Sequence, residues 1–119
     1  MVASNSKARK STPLPGRPVR GSRTGRPQMA LLDLLGRRWA LRVLWELRGD
    51  DALTFRELQS RCGDISSSVL NDRLRELREA GIVTAGTDGY LLSTEGRDLL
   101  EALAPLDAWA KRWARRARR

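Results

Sequence analysis

The sequence contains no histidine and a single cysteine, Cys62, and these two shortages remove most catalytic and metal-binding chemistry. Without histidine, the hydrolase triads lose their usual general base, and imidazole-ligated metal sites are excluded. One cysteine can form neither an intramolecular disulfide nor a cysteine-rich zinc site. The aspartate, glutamate, lysine and serine residues show no spacing typical of a catalytic site. We therefore expect a protein that is not an enzyme and that needs no metal or cofactor.

Long hydrophobic runs are missing as well. No apolar stretch approaches the ~20 residues that a transmembrane helix needs, and none resembles the apolar part of a signal peptide. The basic N-terminus is superficially similar to an organellar transit peptide, but four prolines between Pro13 and Pro27 disfavour the amphipathic helix of such peptides. With 119 residues, 40% of them hydrophobic, the chain can form one domain with a modest core. We expect a cytoplasmic protein without a membrane partner.

The net charge of +9 is distributed unevenly along the chain. Residues 1–27 carry seven positive charges and no negative charge, and residues 111–119 carry six positive charges. Residues 28–110 hold ten arginines against fourteen acidic residues, so the central part is slightly acidic. Basic ends suit a polyanion such as DNA, because binding releases counterions. The alternative is that these ends only keep the protein soluble.

Composition divides the chain into three parts. Residues 1–27 are rich in Ser, Pro, Gly and Arg and have almost no large apolar side chain, which predicts a disordered basic arm. Residues 28–110 are predicted to form the folded domain. Residues 111–119 are predicted to form a basic C-terminal tail.

Leucine spacing predicts helices at both ends of the folded domain. One short helix ends at Gly36, and a second runs over residues 39–48 with Leu41 and Trp45 facing inward. Leucines and tryptophans at helical spacing predict a last helix near the C-terminus. We expect Pro105 to kink or break that helix.

Residues 54–92 carry the most specific pattern in the chain. Thr54 and Glu57 have capping-box spacing, which predicts the start of a short helix. Ser66 is the predicted N-cap of a second helix, which runs to about Ala80 and has a leucine stripe opposite small polar and arginine side chains. Two β-like segments joined by a Gly-Thr-Asp-Gly turn follow. This order is typical of a winged helix-turn-helix, a mainly α fold with a small β-hairpin wing.

Four segments are similar to conserved blocks of one protein family. The first, LLDLLGRRWALRVLWEL, resembles ALDLLGGKWTLLILREL, and FREL at 55–58 resembles RFNEL. ISSSVLNDRLRELREAGIV at 65–83 resembles ISPKVLSQRLRELEEDGLV, and YLLSTEG at 90–96 fits YxLTxxG. The chain thus resembles the HxlR-type regulators, which are MarR-like, over roughly residues 27–110. The resemblance implies a homodimeric transcription factor with two recognition helices and two wings.

The resemblance assigns residues 66–80 as the recognition helix in the DNA major groove. Its exposed N-terminal amides and hydroxyls favour phosphate, Asn71 can bind adenine through two hydrogen bonds, and Arg75 can bind guanine or phosphate. Arg73, beside the leucine stripe, is expected to reach the DNA backbone. Asp72 is expected to repel DNA unless it accepts a hydrogen bond from cytosine N4 or pairs with a neighbour such as Arg75. The predicted DNA contacts of this helix are Ser66, Ser67, Ser68, Asn71, Asp72, Arg73 and Arg75.

The wing and the basic ends determine how strongly DNA is expected to be held. Residues 84–89 contain no lysine or arginine, although wings of the family are commonly basic, so the ends should supply most of the affinity. Two Gly-Arg-Pro tripeptides, at Gly16 and Gly25, are similar to the centre of an AT-hook but lack the preceding arginine. Minor-groove binding and nonspecific phosphate binding both stay open. The predicted arm contacts are Arg17, Arg20, Arg23 and Arg26.

Apolar surface on the terminal helices predicts an interface between two copies of the chain. The first helix has leucines on more faces than one neighbour can bury, and the last helix has two tryptophans four residues apart. Packing within one chain is the alternative. The predicted interface residues are Leu31, Leu34, Leu106, Trp109 and Trp113.

Cys62 lies in the turn before the predicted recognition helix. Redox-sensing members of the family carry Cys-Pro before their first helix, where this chain has Arg26-Pro27. We interpret Cys62 as a small, partly buried residue. A redox sensor is the alternative, which Arg61 would favour by lowering the pKa of the thiol.

These observations predict a bacterial, nucleoid-associated transcriptional regulator that binds double-stranded DNA sequence-specifically as a homodimer. The sequence shows no signature of a small-molecule effector pocket. One alternative is an architectural DNA-binding protein with low sequence specificity. The other is a winged helix that makes only protein contacts.

Overall fold

The computed structural model describes residues 11–118, which form five helices and one antiparallel hairpin. In chain order the elements are α1 (Pro27–Leu35), α2 (Ala40–Glu46), α3 (Phe55–Cys62), α4 (Ser67–Glu79), β1 (Val83–Gly86), β2 (Gly89–Leu92) and α5 (Thr94–Ala117). Helix α2 packs against both α3 and α4, and α5 packs on α2 and β2. The predicted mainly α fold with a β-hairpin wing is confirmed.

Helices α3 and α4 begin at the predicted caps. The Thr54 hydroxyl accepts the Glu57 N–H at 3.1 Å, and the Glu57 carboxylate accepts the Thr54 N–H at 2.9 Å. Two hydrogen bonds lower the pKa of the Glu57 carboxyl. The bond with the Thr54 backbone has the larger effect, and the bond with the Thr54 side chain has the smaller one. At the start of α4, the Ser66 hydroxyl accepts the Val69 N–H at 3.2 Å. Both caps are therefore confirmed, and they place the helix-turn-helix where the sequence predicts it.

The centre of the core is made by leucines of the helix-turn-helix. The predicted stripe on α4 is fully buried, whereas two side chains of α2 that we expected inside are not: Leu41 is 50% and Trp45 is 55% exposed. Helix α2 has seven residues and buries the face that carries Val43 and Leu44, so its other face reaches solvent. The Arg48 guanidinium stacks 4.1 Å from the Trp45 ring centre and covers part of that face. The largest fully buried apolar side chains are Val43, Leu44, Leu47, Leu58, Leu70, Leu74 and Leu77.

The wing is a tight hairpin held to the start of α3. Gly86 and Gly89 face each other at the ends of β1 and β2, and a two-residue loop joins them. Leu53 exchanges backbone hydrogen bonds with Tyr90 at 3.0 and 2.7 Å, so the predicted short strand there is a single bridge. A Cβ on Gly89, whose φ is 125°, would overlap the Leu53 backbone. Glycine is required at this position because the Leu53 backbone approaches so closely.

Helix α5 runs from Thr94 to Ala117 as one element and includes Pro105. The helix therefore does not break at Pro105, and a kink there stays a prediction. The proline removes the N–H that would bind the Glu101 carbonyl, but both residues are exposed, so water can satisfy that carbonyl. The basic residues predicted to form a tail from position 111 continue this helix instead. Neither α5 nor any other helix in the described part of the chain is long and apolar enough to cross a membrane.

Residues 11–26 fold back onto the domain, which differs from the disordered arm that their composition predicts. The Thr12 side chain is 3% exposed and bonds to the Glu79 carboxylate of α4. The Arg37 guanidinium donates to the Ser11 carbonyl at 3.1 Å. These polar links, together with the burial of Pro13, hold the segment on the domain. Residues 1–10 lie outside the described residues, and their disorder stays a prediction.

The two Gly-Arg-Pro tripeptides lie against each other in this segment. The Gly16 N–H donates to the Gly25 carbonyl at 2.9 Å. Gly25 is buried, and a Cβ there would overlap the Arg17 backbone. An AT-hook binds as an extended segment in the minor groove, so hook-like binding would require this loop to open.

Candidate nucleic-acid interface

The first turn of α4 presents a cluster of small polar groups to solvent. Ser66, Ser67, Ser68 and Asn71 are all exposed. Because Ser66 caps the helix, its hydroxyl is held 3.2 Å from the Val69 N–H and 3.5 Å from the Ser68 hydroxyl. Exposed amides and hydroxyls at a helix N-terminus can bind phosphate or reach base edges.

Gln59 holds the turn between α3 and α4 in place. Its side-chain amide donates to the Ile65 carbonyl at 3.3 Å and to the Ser67 hydroxyl at 3.0 Å. From the other side, the Arg42 guanidinium donates to the Arg61 carbonyl at 2.9 Å. These bonds orient the start of α4 relative to α3. The sequence did not reveal the role of Gln59, since a glutamine on an amphipathic helix carries no distinctive signal.

Asp72 and Arg75 form an ion pair on the exposed side of α4. Arg75 Nη2 lies 3.8 Å from Asp72 Oδ1, and the two side chains are 38% and 41% exposed, respectively. This is the pairing alternative considered for Asp72 from the sequence. The pair reduces the repulsion that an isolated aspartate would exert on DNA, and it leaves both groups within reach of a ligand.

Arg73 lies on the opposite side of α4 and is engaged with the protein itself. Its Nη1 donates to the Arg38 carbonyl at 3.2 Å, and its Nε is 3.0 Å from Glu76 Oε1. The Arg73 side chain is 14% exposed. The expected contact of Arg73 with the DNA backbone would break these interactions, so we leave it out of the interface proposed below.

Glu76 is a buried acid that sequence analysis missed. Its side chain is 2% exposed, and Oε2 accepts from Arg37 Nη1 at 2.6 Å. Arg75 Nη2 lies 3.9 Å from the same oxygen. The three-residue spacing of Arg73 and Glu76 on α4 could have indicated their ion pair. The contact with Arg37 could not be foreseen, because the two residues are 39 positions apart in the chain. The cluster ties α4 to the start of α2.

The remaining predicted DNA contacts are placed unequally. In the folded arm, Arg17, Arg23 and Arg26 are exposed. The backbone N–H of Arg20 donates to Asp33 Oδ2 at 3.1 Å, which fixes that part of the arm to α1. The wing tip is exposed and carries no basic residue, so we expect its contribution to DNA affinity to be small.

A second candidate surface lies on the C-terminal half of α5. Leu106, Trp109 and Trp113 are 59%, 48% and 57% exposed, and the two tryptophan rings stack with centres 6.0 Å apart. Exposed aromatic side chains of this size commonly mark an interface. Of the two leucines predicted from α1, Leu31 packs partly against the core and Leu34 is only 3% exposed. Leu34 is thus a core residue and is unavailable to a partner.

Cys62 is buried, with 3% of its surface exposed. Burial is the main cause that raises the pKa of its thiol; the Glu46 carboxylate adds to the rise, and Arg42 opposes it. The expectation that Arg61 lowers this pKa is not met. A buried thiol with a raised pKa is poorly suited to redox sensing, because the thiolate is the reactive form.

Comparisons with known proteins agree with this geometry. The family model described as HxlR-like helix-turn-helix matches residues 34–118. The HTH-type transcriptional regulator YvaP of Bacillus subtilis is 28% identical over 89 residues, which cover 69% of this chain and 82% of YvaP. The structure of quinone-bound YodB from B. subtilis superposes with a TM-score of 0.67 at 29% identity, over 71% of this chain and 96% of YodB. The structure of a transcriptional regulator of the MarR family from Enterococcus faecalis superposes with a TM-score of 0.66 at 28% identity, over 82% of this chain and 96% of that protein.

Proposed function

The chain belongs to the HxlR-like helix-turn-helix family of transcriptional regulators, and we propose that it acts as a homodimer whose two α4 helices read DNA in successive major grooves. The observation that carries this proposal is the exposed first turn of α4, held in one orientation by Gln59. A rigid helix start with exposed polar groups is what base recognition requires.

Asn71 and Arg75 are the residues proposed to choose the DNA sequence. The Asn71 amide has the donor and acceptor to bind adenine, and Arg75 has the paired donors to bind guanine. Ser67 and Ser68 would bind phosphates and set the position of the helix on the duplex. Asp72 would orient Arg75 through the ion pair at 3.8 Å.

Base selectivity of single variants tests these roles. Sites selected from a random DNA pool would first give the preferred sequence and its half-site symmetry. We expect Asn71→Ala and Arg75→Ala each to reduce discrimination against a substituted base pair by about 1–3 kcal/mol. Arg23→Ala, a variant of an exposed arm residue, should instead weaken binding to all sequences equally. Wild-type discrimination in both α4 variants would show that α4 does not read the sequence.

The proposed dimer places Leu106, Trp109 and Trp113 against a second copy. Two recognition helices about 34 Å apart would then fit half-sites one helical turn apart. Sedimentation of the free protein at micromolar concentration should show a dimer, and Trp109→Ala with Trp113→Ala should shift it to monomer. Trp45→Ala is the matched control, because Trp45 is similarly exposed at 55% but lies on α2. A wild-type monomer would contradict this arrangement.

The second candidate function is an architectural DNA-binding protein, and the basic ends favour it. The two functions differ in the ratio of specific to nonspecific affinity, which is about 10³ or more for a regulator. Competition of the selected site against random duplex, at fixed salt, measures this ratio. A protein that bound no DNA even at low salt would support a winged helix used only for protein contacts.

A further inference from the structure

A cleft of about 510 Å³ lies between the folded arm, α1 and the flank of α4. Four arginines and one aspartate line it, together with two apolar side chains. We call it the arginine cleft. The side chains that define it are those of Arg20, Arg37, Arg38 and Arg73, with Asp33, Met29 and Leu32.

The positive charge in the arginine cleft is only partly balanced. Arg37 and Arg73 share the buried Glu76 carboxylate. Asp33, the one acid in the lining, accepts the backbone N–H of Arg20 rather than a guanidinium. For the side chains of Arg20 and Arg38 the described residues provide no ion pair. The cleft therefore has an excess of cationic donors that face an open volume.

A buried ion pair lies behind the lining. Arg73 Nε is 3.0 Å from Glu76 Oε1, and both atoms are buried. This pair neutralises part of the charge of Arg73, so the positive charge open to a ligand comes mainly from Arg20 and Arg38.

The other wall of the arginine cleft is apolar. Leu32 is 58% exposed, and Met29 lies against the turn at Gly21. Volumes of about 300–1,000 Å³ with a few polar groups beside apolar ones are typical of small-molecule sites. The chemistry of this lining suits a molecule with an anionic end and a short apolar part.

The position of the cleft argues against a DNA phosphate as its ligand. At ~100° per residue, Arg73 lies about 160° from Asn71 around α4. The cleft therefore opens on the flank of α4 that faces away from the exposed Ser68 and Asn71. A DNA phosphate bound at the proposed reading face would therefore lie on the other side of α4 from the cleft.

We propose that the arginine cleft binds a small organic oxyanion, a carboxylate or phosphate ester with an apolar group, and that its occupancy changes DNA affinity. The anion would pair with Arg20 and Arg38 and draw donors from Arg37 and Arg73. Because those two arginines hold Glu76, a bound anion would alter the link between α4 and the start of α2. Only this regulatory part rests on the proposed DNA-binding function.

Direct binding to the full-length protein without DNA tests the site itself. Calorimetry would compare phenyl phosphate with inorganic phosphate at constant ionic strength. We expect phenyl phosphate to bind several-fold more tightly, and Arg38→Gln and Arg20→Gln each to weaken it about tenfold, as for a lost charge-assisted hydrogen bond. Neither substitution removes a partner of Glu76. The control is Arg56→Gln, which removes the same charge from an exposed position on α3 and should change affinity less than twofold.

Two outcomes would overturn the site: no saturable binding of either probe, or an equal loss in the Arg56→Gln control. The regulatory part is tested by measuring DNA affinity with saturating phenyl phosphate against sodium chloride of equal ionic strength. We expect the anion to change DNA affinity at least threefold for the wild type and not for Arg38→Gln. If instead Arg38→Gln weakens DNA binding by itself and the anion acts only as salt, the cleft contacts DNA and the effector role is refuted.

Discussion

At the scale of single residues, Glu76 has the environment that constrains the fold most. It is an acid with 2% exposure, and three arginines surround it at 2.6, 3.0 and 3.9 Å. Taking a carboxylate out of water is costly unless its charge is balanced and bonded. The surrounding guanidinium groups provide that balance, so Glu76 and the arginines depend on one another. Their link joins α4 to α2 and to the folded arm.

We predict that Glu76→Gln destabilises the protein by about 3 kcal/mol, because removal of one member of a buried ion cluster leaves the others uncompensated. Equilibrium unfolding in urea measures this loss. The control is Glu101→Gln on α5, where the carboxylate is exposed and the expected change is within about 0.5 kcal/mol. Equal stability of the two variants would mean that Glu76 does not hold the helices together.

A second residue-scale prediction concerns Cys62. Since burial raises the pKa of its thiol above the ordinary 9.0, the thiolate fraction at pH 7.5 is lower than in a free cysteine. We expect iodoacetamide to modify the native protein at least ~100-fold more slowly than the urea-unfolded chain. The native rate should rise as the pH passes above the ordinary value. Equal rates in the two states, or loss of DNA binding in mild peroxide, would restore Cys62 as a redox sensor.

At the scale of elements, local signals predicted structure well and distant contacts escaped prediction. Thr54, Glu57 and Ser66 mark helix starts because the groups that cap a helix are within three residues of each other. The leucine stripe of α4 follows from helical periodicity alone. By contrast, the Glu76 cluster includes Arg37, which is 39 positions away in the chain. The exposed start of α4 could therefore be predicted as a site, whereas the ion cluster and the arginine cleft beside it could not.

Composition misled the predictions for the two ends of the domain. The arm lacks large apolar residues, but positive φ angles at its glycines allow a folded loop that Thr12 fastens to α4. Pro105 was expected to kink or break α5, but the helix continues through it, because water can bind the carbonyl that the proline leaves free. In both cases contacts with the domain or with solvent, which composition does not report, determine the structure.

The folded arm gives an element-scale prediction. Gly25→Ala places a Cβ against the Arg17 backbone and should open the loop. Gly16→Ala is the matched control, because Gly16 also has a positive φ, 88°, but open space around it. We expect trypsin to cleave after Arg20 and Arg23 several-fold faster in Gly25→Ala than in Gly16→Ala, as local opening exposes the backbone. Equal cleavage of both variants and the wild type would indicate that the arm is not held in this loop.

At the scale of the whole molecule, most of the basic residues and the proposed reading face of α4 lie in different parts of the chain. The proposed reading face of α4 belongs to a central part with ten arginines and fourteen acids, so we expect it to add little general attraction for DNA. The basic residues concentrate in the arm and at the end of α5, on either side of that centre. This division predicts that α4 chooses the site while the two ends supply most of the affinity. The helical continuation of α5 to Ala117 also gives its basic residues fixed relative positions.

The dependence of DNA affinity on salt tests this division. Each phosphate contact contributes about 0.9 to the slope of log affinity against log salt concentration. Substitution of Arg115, Arg116 and Arg118 by glutamine should therefore reduce the slope by up to about 2.7, while discrimination between selected and random DNA stays near the wild-type value. Deletion of residues 1–10 also removes three positive charges and keeps the folded arm. The two variants therefore compare the contributions of the N-terminal and C-terminal ends at equal loss of charge. Circular dichroism would confirm that the helices persist. A wild-type slope in both variants would show that neither residues 1–10 nor Arg115, Arg116 and Arg118 contact DNA, and it would contradict this division.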